Sequence, residues 1–126
     1  MIPIHYKTEA QGKRFVGSIN HGGVFLCKRK FDTQVMHVKY PYNLKPAVFL
    51  NKEIIKLVAS KGGKTIQFII VYGPEKESEI YTVSISDFVN KEKNILLKKN
   101  YTNFQEQGFD SYTQVGYYLS DMVKIK

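Results

Sequence analysis

Residues 50–72, LNKEIIKLVASKGGKTIQFIIVY, change hydrophobic period once, and that change decides the fold class. In the first half Leu50, Ile54, Leu57 and Val58 recur at helical spacing, giving one apolar face. Asn51 stands where an N-cap is wanted, and Glu53 puts a carboxylate in the first turn. Lys61 is followed by Gly62-Gly63, a left-handed stop. The spacing therefore predicts a helix from about 51 to 61. The second half, TIQFIIV, is β-branched and too short for another helix, so 64–72 reads as a strand. A polar connection, GPEKES at 73–78, leads to 79–85, where Tyr81, Val83 and Ile85 fall on one face and Ile80, Thr82 and Ser84 on the other. Those two segments read as a β-hairpin.

Upstream, IPIHYK at 2–7 alternates loosely as a first strand, and Phe15, Val16 and Ile19 allow a second. The cluster Asn20-His21-Gly22-Gly23 is a turn. Residues 24–30 begin apolar and end in charge, and 34–40 alternate, so the two read as a hairpin joined at 31–33. Pro41 and Pro46 bracket PYNLKP, which reads as a loop. Downstream, Ser86 is placed to cap a short helical turn, and Ile95-Leu96-Leu97 is an apolar anchor among lysines. Polar residues 102–111 read as loop, 114–119 as a last strand and 124–126 as a frayed end. Strands, one main helix, then more strands imply an α+β fold with a mainly antiparallel sheet built from β-hairpins. The helix at about 51–61 covers one face of that sheet, and the other face stays open.

The chain has 126 residues, the length of one domain, 1–126, and 43% are hydrophobic, a globular composition. A lone cysteine, Cys27, forbids an intrachain disulfide, and its place in the run VFLC marks it as a core residue. The start MIPIHYK lacks the basic and apolar regions of a secretory signal, and no apolar run reaches bilayer length. These features predict a cytoplasmic protein without membrane contact.

The net charge is +8. Residues 1–100 carry +9 and residues 101–126 carry −1. The charge peaks in 28–45, KRKFDTQVMHVKYPYNLK, where Lys28, Arg29, Lys30, Lys39 and Lys45 oppose only Asp32. Phe31, Tyr40, Tyr42 and His37 are threaded between them. Cations attract phosphate and exposed aromatic rings stack on bases, so nucleic acid is the leading partner. Lys98 and Lys99 form a second candidate patch. Nothing resembles a recognition helix, an RNP signature, a KH glycine loop or zinc-finger spacing, which favours single-stranded or non-specific binding.

Enzyme classes find less support. There is no P-loop, no GxSxG and no HExxH. His5, His21, His37 and Cys27 match no zinc spacing, and the acids are too scattered to hold Mg²⁺, so no metal and no cofactor are expected. Glu75, Glu77 and Glu79 beside Lys76 read as a solvated turn. The chain thus reads as a binding protein rather than an enzyme. Two alternatives stand beside that reading. One is a metal-independent ribonuclease using His37 and Lys39, with Lys30 across the hairpin. The other is a protein–protein interaction subunit or inhibitor, presenting a sheet edge or the tyrosines Tyr112, Tyr117 and Tyr118 to an acidic protein.

Overall fold

The computed structural model describes residues 2–7, 14–40, 42–89, 95–96 and 114–126; for 2–7, 14–16, 40, 95–96 and 114 it describes the backbone only. The fold is α+β and mainly antiparallel, as the periodicity implies, and its strands form two sheets. The six-stranded sheet contains β1 (Ile2–Lys7), β2 (Arg14–Ile19), β3 (Val24–Lys30), β6 (Thr65–Val71), β7 (Glu79–Ser84) and β10 (Val123–Lys124), in the order β1-β2-β3-β6-β7-β10. The four-stranded sheet contains β4 (Met36–Tyr40), β5 (Asn43–Asn51), β8 (Ile95–Leu96) and β9 (Gln114–Tyr118), in the order β4-β5-β9-β8.

Two elements follow their local sequence closely. Helix α2 (Lys52–Ser60) is capped by Asn51, whose Oδ1 accepts from the Glu53 N–H at 2.8 Å. It ends at Gly62, where a φ of +88° reverses the chain and lets the Gly63 N–H bond back to the Val58 carbonyl at 2.8 Å. Ile54, Ile55 and Val58 are its buried residues and Leu57 packs against the core from the margin. Leu50 is buried too, but as part of β5. Strands β6 and β7 pair antiparallel as predicted, from Thr65↔Ser84 to Ile70↔Glu79.

Other expectations need correction. The segments 24–30 and 34–40 do not form a hairpin. Residues 31–34 make one helical turn, α1 (Phe31–Gln34), that carries the chain out of the first sheet. Strand β3 instead runs parallel to β6, from Val24↔Thr65 to Lys30↔Val71, and β4 pairs with β5. Most of PYNLKP is therefore strand. At Pro46 β5 is paired with β4 alone, because its ladder with β9 begins at Ala47. A residue without an N–H is tolerated where one side of the strand is unpaired. The cap of α3 (Ile85–Phe88) is Ser84, whose Oγ accepts from the Asp87 N–H, not Ser86. The C-terminal end is stitched rather than frayed: Ile125 N–H donates to the Ile80 carbonyl at 2.8 Å, and Ile80 N–H to the Lys126 carbonyl at 2.9 Å.

The main core lies between the inner face of the six-stranded sheet, α2 and one face of the four-stranded sheet. Phe25, Cys27, Ile66, Phe68 and Ile70 come from the first sheet, and Val48, Leu50, Val115 and Tyr117 from the second. Phe88 joins them, with its ring 5.7 Å from Tyr117 and 5.9 Å from Phe68. Gly17 leaves room for the Phe25 ring, which a Cβ there would meet at 2.3 Å. The opposite face of the second sheet carries a smaller cluster of Val38, Ala47, Phe49 and Tyr118. Residues 47–51 are consequently buried on both faces, the pattern of a central strand.

Candidate nucleic-acid interface

The two halves of the basic stretch land in different sheets. In β3, Phe25 and Cys27 point into the core, and the alternation sends Arg29 the same way. Lys28 and Lys30 point to the opposite, outer face and are exposed. The Arg29 guanidinium donates to the Lys28 carbonyl at 2.9 Å, and its enclosure pushes its pKa below the ordinary arginine value. Arg29 is half-buried, on the strand face opposite to Lys28 and Lys30. Cys27 is wholly buried, and burial pushes its thiol up to about 12, so it stays protonated.

The other half forms one hairpin. Strands β4 and β5 pair from Met36↔Ala47 to Tyr40↔Asn43, and Tyr42 sits in the connection between them. Tyr42 is 91% exposed and Leu44 67%. Register places Lys39 opposite Leu44 on one face of the hairpin and Lys45 opposite Val38 on the other. A cation thus stands on each face just behind an exposed ring. Lys39 is exposed and Lys45 half-buried. The Tyr118 hydroxyl reaches over from β9 and donates to the Lys39 carbonyl at 3.1 Å, tying the hairpin to the sheet. Tyr40 closes β4, and its ring is not among the described side chains.

His37 is exposed on the Lys39 side of β4, with its ring edge-on to Phe31 at 5.4 Å. Phe31 in turn packs against Tyr72 at 4.7 Å. These contacts fix the end of α1 against both sheets. The premise of a ribonuclease site, Lys30 across a hairpin from His37, does not hold, because β3 and β4 belong to different sheets. Lys30 instead donates its backbone N–H to the Gln34 side chain. Tyr117 and Tyr118 are buried, so they offer no exposed tyrosine surface to a protein partner. Tyr112, Lys98 and Lys99 lie outside the described residues.

One cluster departs from the sequence-based expectation. Glu79, which the sequence groups with Glu75 and Glu77 in a solvated turn, points inward, and its side chain is 14% exposed. Its carboxylate accepts from the Tyr72 hydroxyl and from Tyr81 at 3.4 Å, and pairs with Lys124 at 2.6 Å and Lys76 at 3.9 Å. Lys76 also lies 4.0 Å above the Tyr72 ring. The Lys124 contact, then the Tyr72 hydrogen bond, holds the Glu79 pKa below the usual carboxylate range. Burial, then the Glu79 hydrogen bond, pushes the Tyr72 hydroxyl up. The signal was present: Glu79, Tyr81 and Val83 alternate on one strand, so the buried Val83 brings Glu79 to the inner face.

Among the described residues no group of three or more His, Cys, Asp or Glu could hold a metal ion. No helix among them is long and apolar enough to cross a membrane. Comparison with family models, curated proteins and solved structures gave no match to this chain.

Proposed function

We propose that this chain is a small non-enzymatic nucleic-acid-binding protein whose β4–β5 hairpin is the contact element. The observation that carries the reading is Tyr42, 91% exposed at the end of a hairpin with Lys39 and Lys45 behind it on opposite faces. A ring held in water gives up burial that would stabilise the fold, and it is free to stack on a base. Lys39 and Lys45 would take phosphates on either side of the stacked base, with His37 beside Lys39 as a further donor. Stacking on one ring is indifferent to base identity, so the preferred ligand is single-stranded and the sequence preference weak. Lys28 and Lys30 add to the positive field that draws the strand in, without lying on the hairpin.

Fluorescence anisotropy with labelled single-stranded oligonucleotides at low salt tests this. Binding should appear for the wild type, and Tyr42→Ala should weaken it by ~1–3 kcal/mol, the worth of one stacked base. Absence of binding to single-stranded or duplex DNA and RNA would remove the proposal.

A further inference from the structure

The outer face of the six-stranded sheet has a composition that the hairpin does not explain. An open face of an antiparallel sheet is ordinarily polar, while a strand covered on both sides reads as a continuous apolar run. Strand β6 ends in the second pattern. Phe68 and Ile70 point into the core, and Ile69 and Val71 point out. Register puts Lys28, Ile69 and Ile80 in one row across β3, β6 and β7. Val123 continues the neighbouring row through Thr82, and Ile125 bonds to the Ile80 carbonyl. Ile69, Val71 and Ile80 are half-buried, yet they belong to neither hydrophobic cluster. Val123 is 64% exposed and Ile125 53%, side by side at the edge of the same patch.

The charged residues at the outward positions of β3, β6, β7 and β10 have one sign. Lys28 and Lys30 are exposed beside the patch, and no outward position of β3, β6, β7 or β10 is Asp or Glu. None of those positions is aromatic either, so the face lacks the rings that would hold bases. We infer that this outer face docks an acidic protein whose contact surface has an apolar centre and a carboxylate rim. Ile69, Val71, Ile80, Val123 and Ile125 would bury against that centre, and Lys28 and Lys30 would meet the rim, setting orientation and association rate. A second copy fits less well, because it would bring the lysines of both copies around one patch. The inference does not rest on the hairpin, and it survives if the hairpin binds nothing.

The test uses a display library of random linear peptides selected on the wild-type chain. Two variants serve as controls: Val123→Lys with Ile125→Lys, and Lys28→Glu with Lys30→Glu. All four positions are exposed, so both variants should melt like the wild type. Selection should enrich peptides in which apolar residues alternate with Asp or Glu. Their affinity should fall about tenfold or more on each double variant, weaken with salt, and be unchanged in Tyr42→Ala. Failure to enrich such peptides, or equal binding to the Val123/Ile125 variant, would overturn the inference. So would wild-type self-association, or oligonucleotide binding, that is lost in that same variant.

Discussion

Residues 28–30 and 39–45 have nearly the same chemistry, lysine-rich and next to aromatic rings, and the fold uses them in opposite ways. The first group ends a strand whose inner face builds the main core. Alternation divides it, sending Arg29 inward and Lys28 and Lys30 outward. The second group ends a hairpin that extends past the β9 ladder, which starts only at Ala47. There Tyr42 and Leu44 remain in water. Charge density along a sequence therefore says little about a binding surface until strand pairing assigns each residue a face.

The largest effect that would break this contrast compares two aromatic truncations. Phe25 is fully buried over Gly17 at the base of β3, and Phe25→Ala should destabilise by ~3–5 kcal/mol in urea melts. Tyr42→Ala should change stability by less than about 0.5 kcal/mol, as expected for an exposed side chain. Similar losses for the two would mean that Tyr42 is packed and the hairpin is not presented.

A smaller effect separates the two kinds of cation. Arg29→Ala should cost ~1.5–3 kcal/mol, because the stem packs inward and the guanidinium hydrogen bond to the Lys28 carbonyl is lost. Lys39→Ala should cost within about 0.5 kcal/mol. If both are neutral, Arg29 is not an inward-facing residue and belongs with Lys28 and Lys30.

The inward charge at Glu79 adds a pH signature that the outward lysines lack. The Glu79 pKa is lowered in the folded state, so its contribution is present above the unfolded value of about 4.3 and is lost as pH falls through the folded value. The Tyr72 pKa is raised, so its contribution is present below about 10 and is lost as pH rises through the folded value. Glu79→Gln should flatten the acid limb of a stability–pH curve, and Tyr72→Phe the alkaline limb. An acid limb that is unchanged in Glu79→Gln would show that the network does not hold β10 to the sheet through this carboxylate.

These contrasts also show what was legible in the residues. Helix α2 and the β6–β7 pair were readable because period, cap and stop all lie within a few residues. The β3–β4 hairpin was misread because Phe31-Asp32-Thr33 is as plausible a turn as it is a helical turn. What decides between them is the parallel pairing of β3 with β6, and that partner enters only after β4, β5 and α2. No local pattern carries this information. Pro41 and Pro46 suggested a loop for the same reason, although an unpaired side makes Pro46 acceptable in a strand. In the candidate site, Lys39, Tyr42 and Lys45 were legible as residue types. The inward turn of Arg29 and of Glu79 was legible only through the parity of strands whose core faces had to be known first.

The most direct measurement is a salt titration of oligonucleotide affinity for two paired variants, Lys39→Gln with Lys45→Gln and Lys28→Gln with Lys30→Gln. Each single-strand phosphate contact contributes about 0.7 to the slope of log K against log[salt]. If the hairpin is the contact element, the Lys39/Lys45 variant should flatten the wild-type slope by about 1.4, and the Lys28/Lys30 variant, which alters only the long-range field, should flatten it by much less. The reverse order, or equal flattening by both pairs, would contradict the account and return the binding surface to β3.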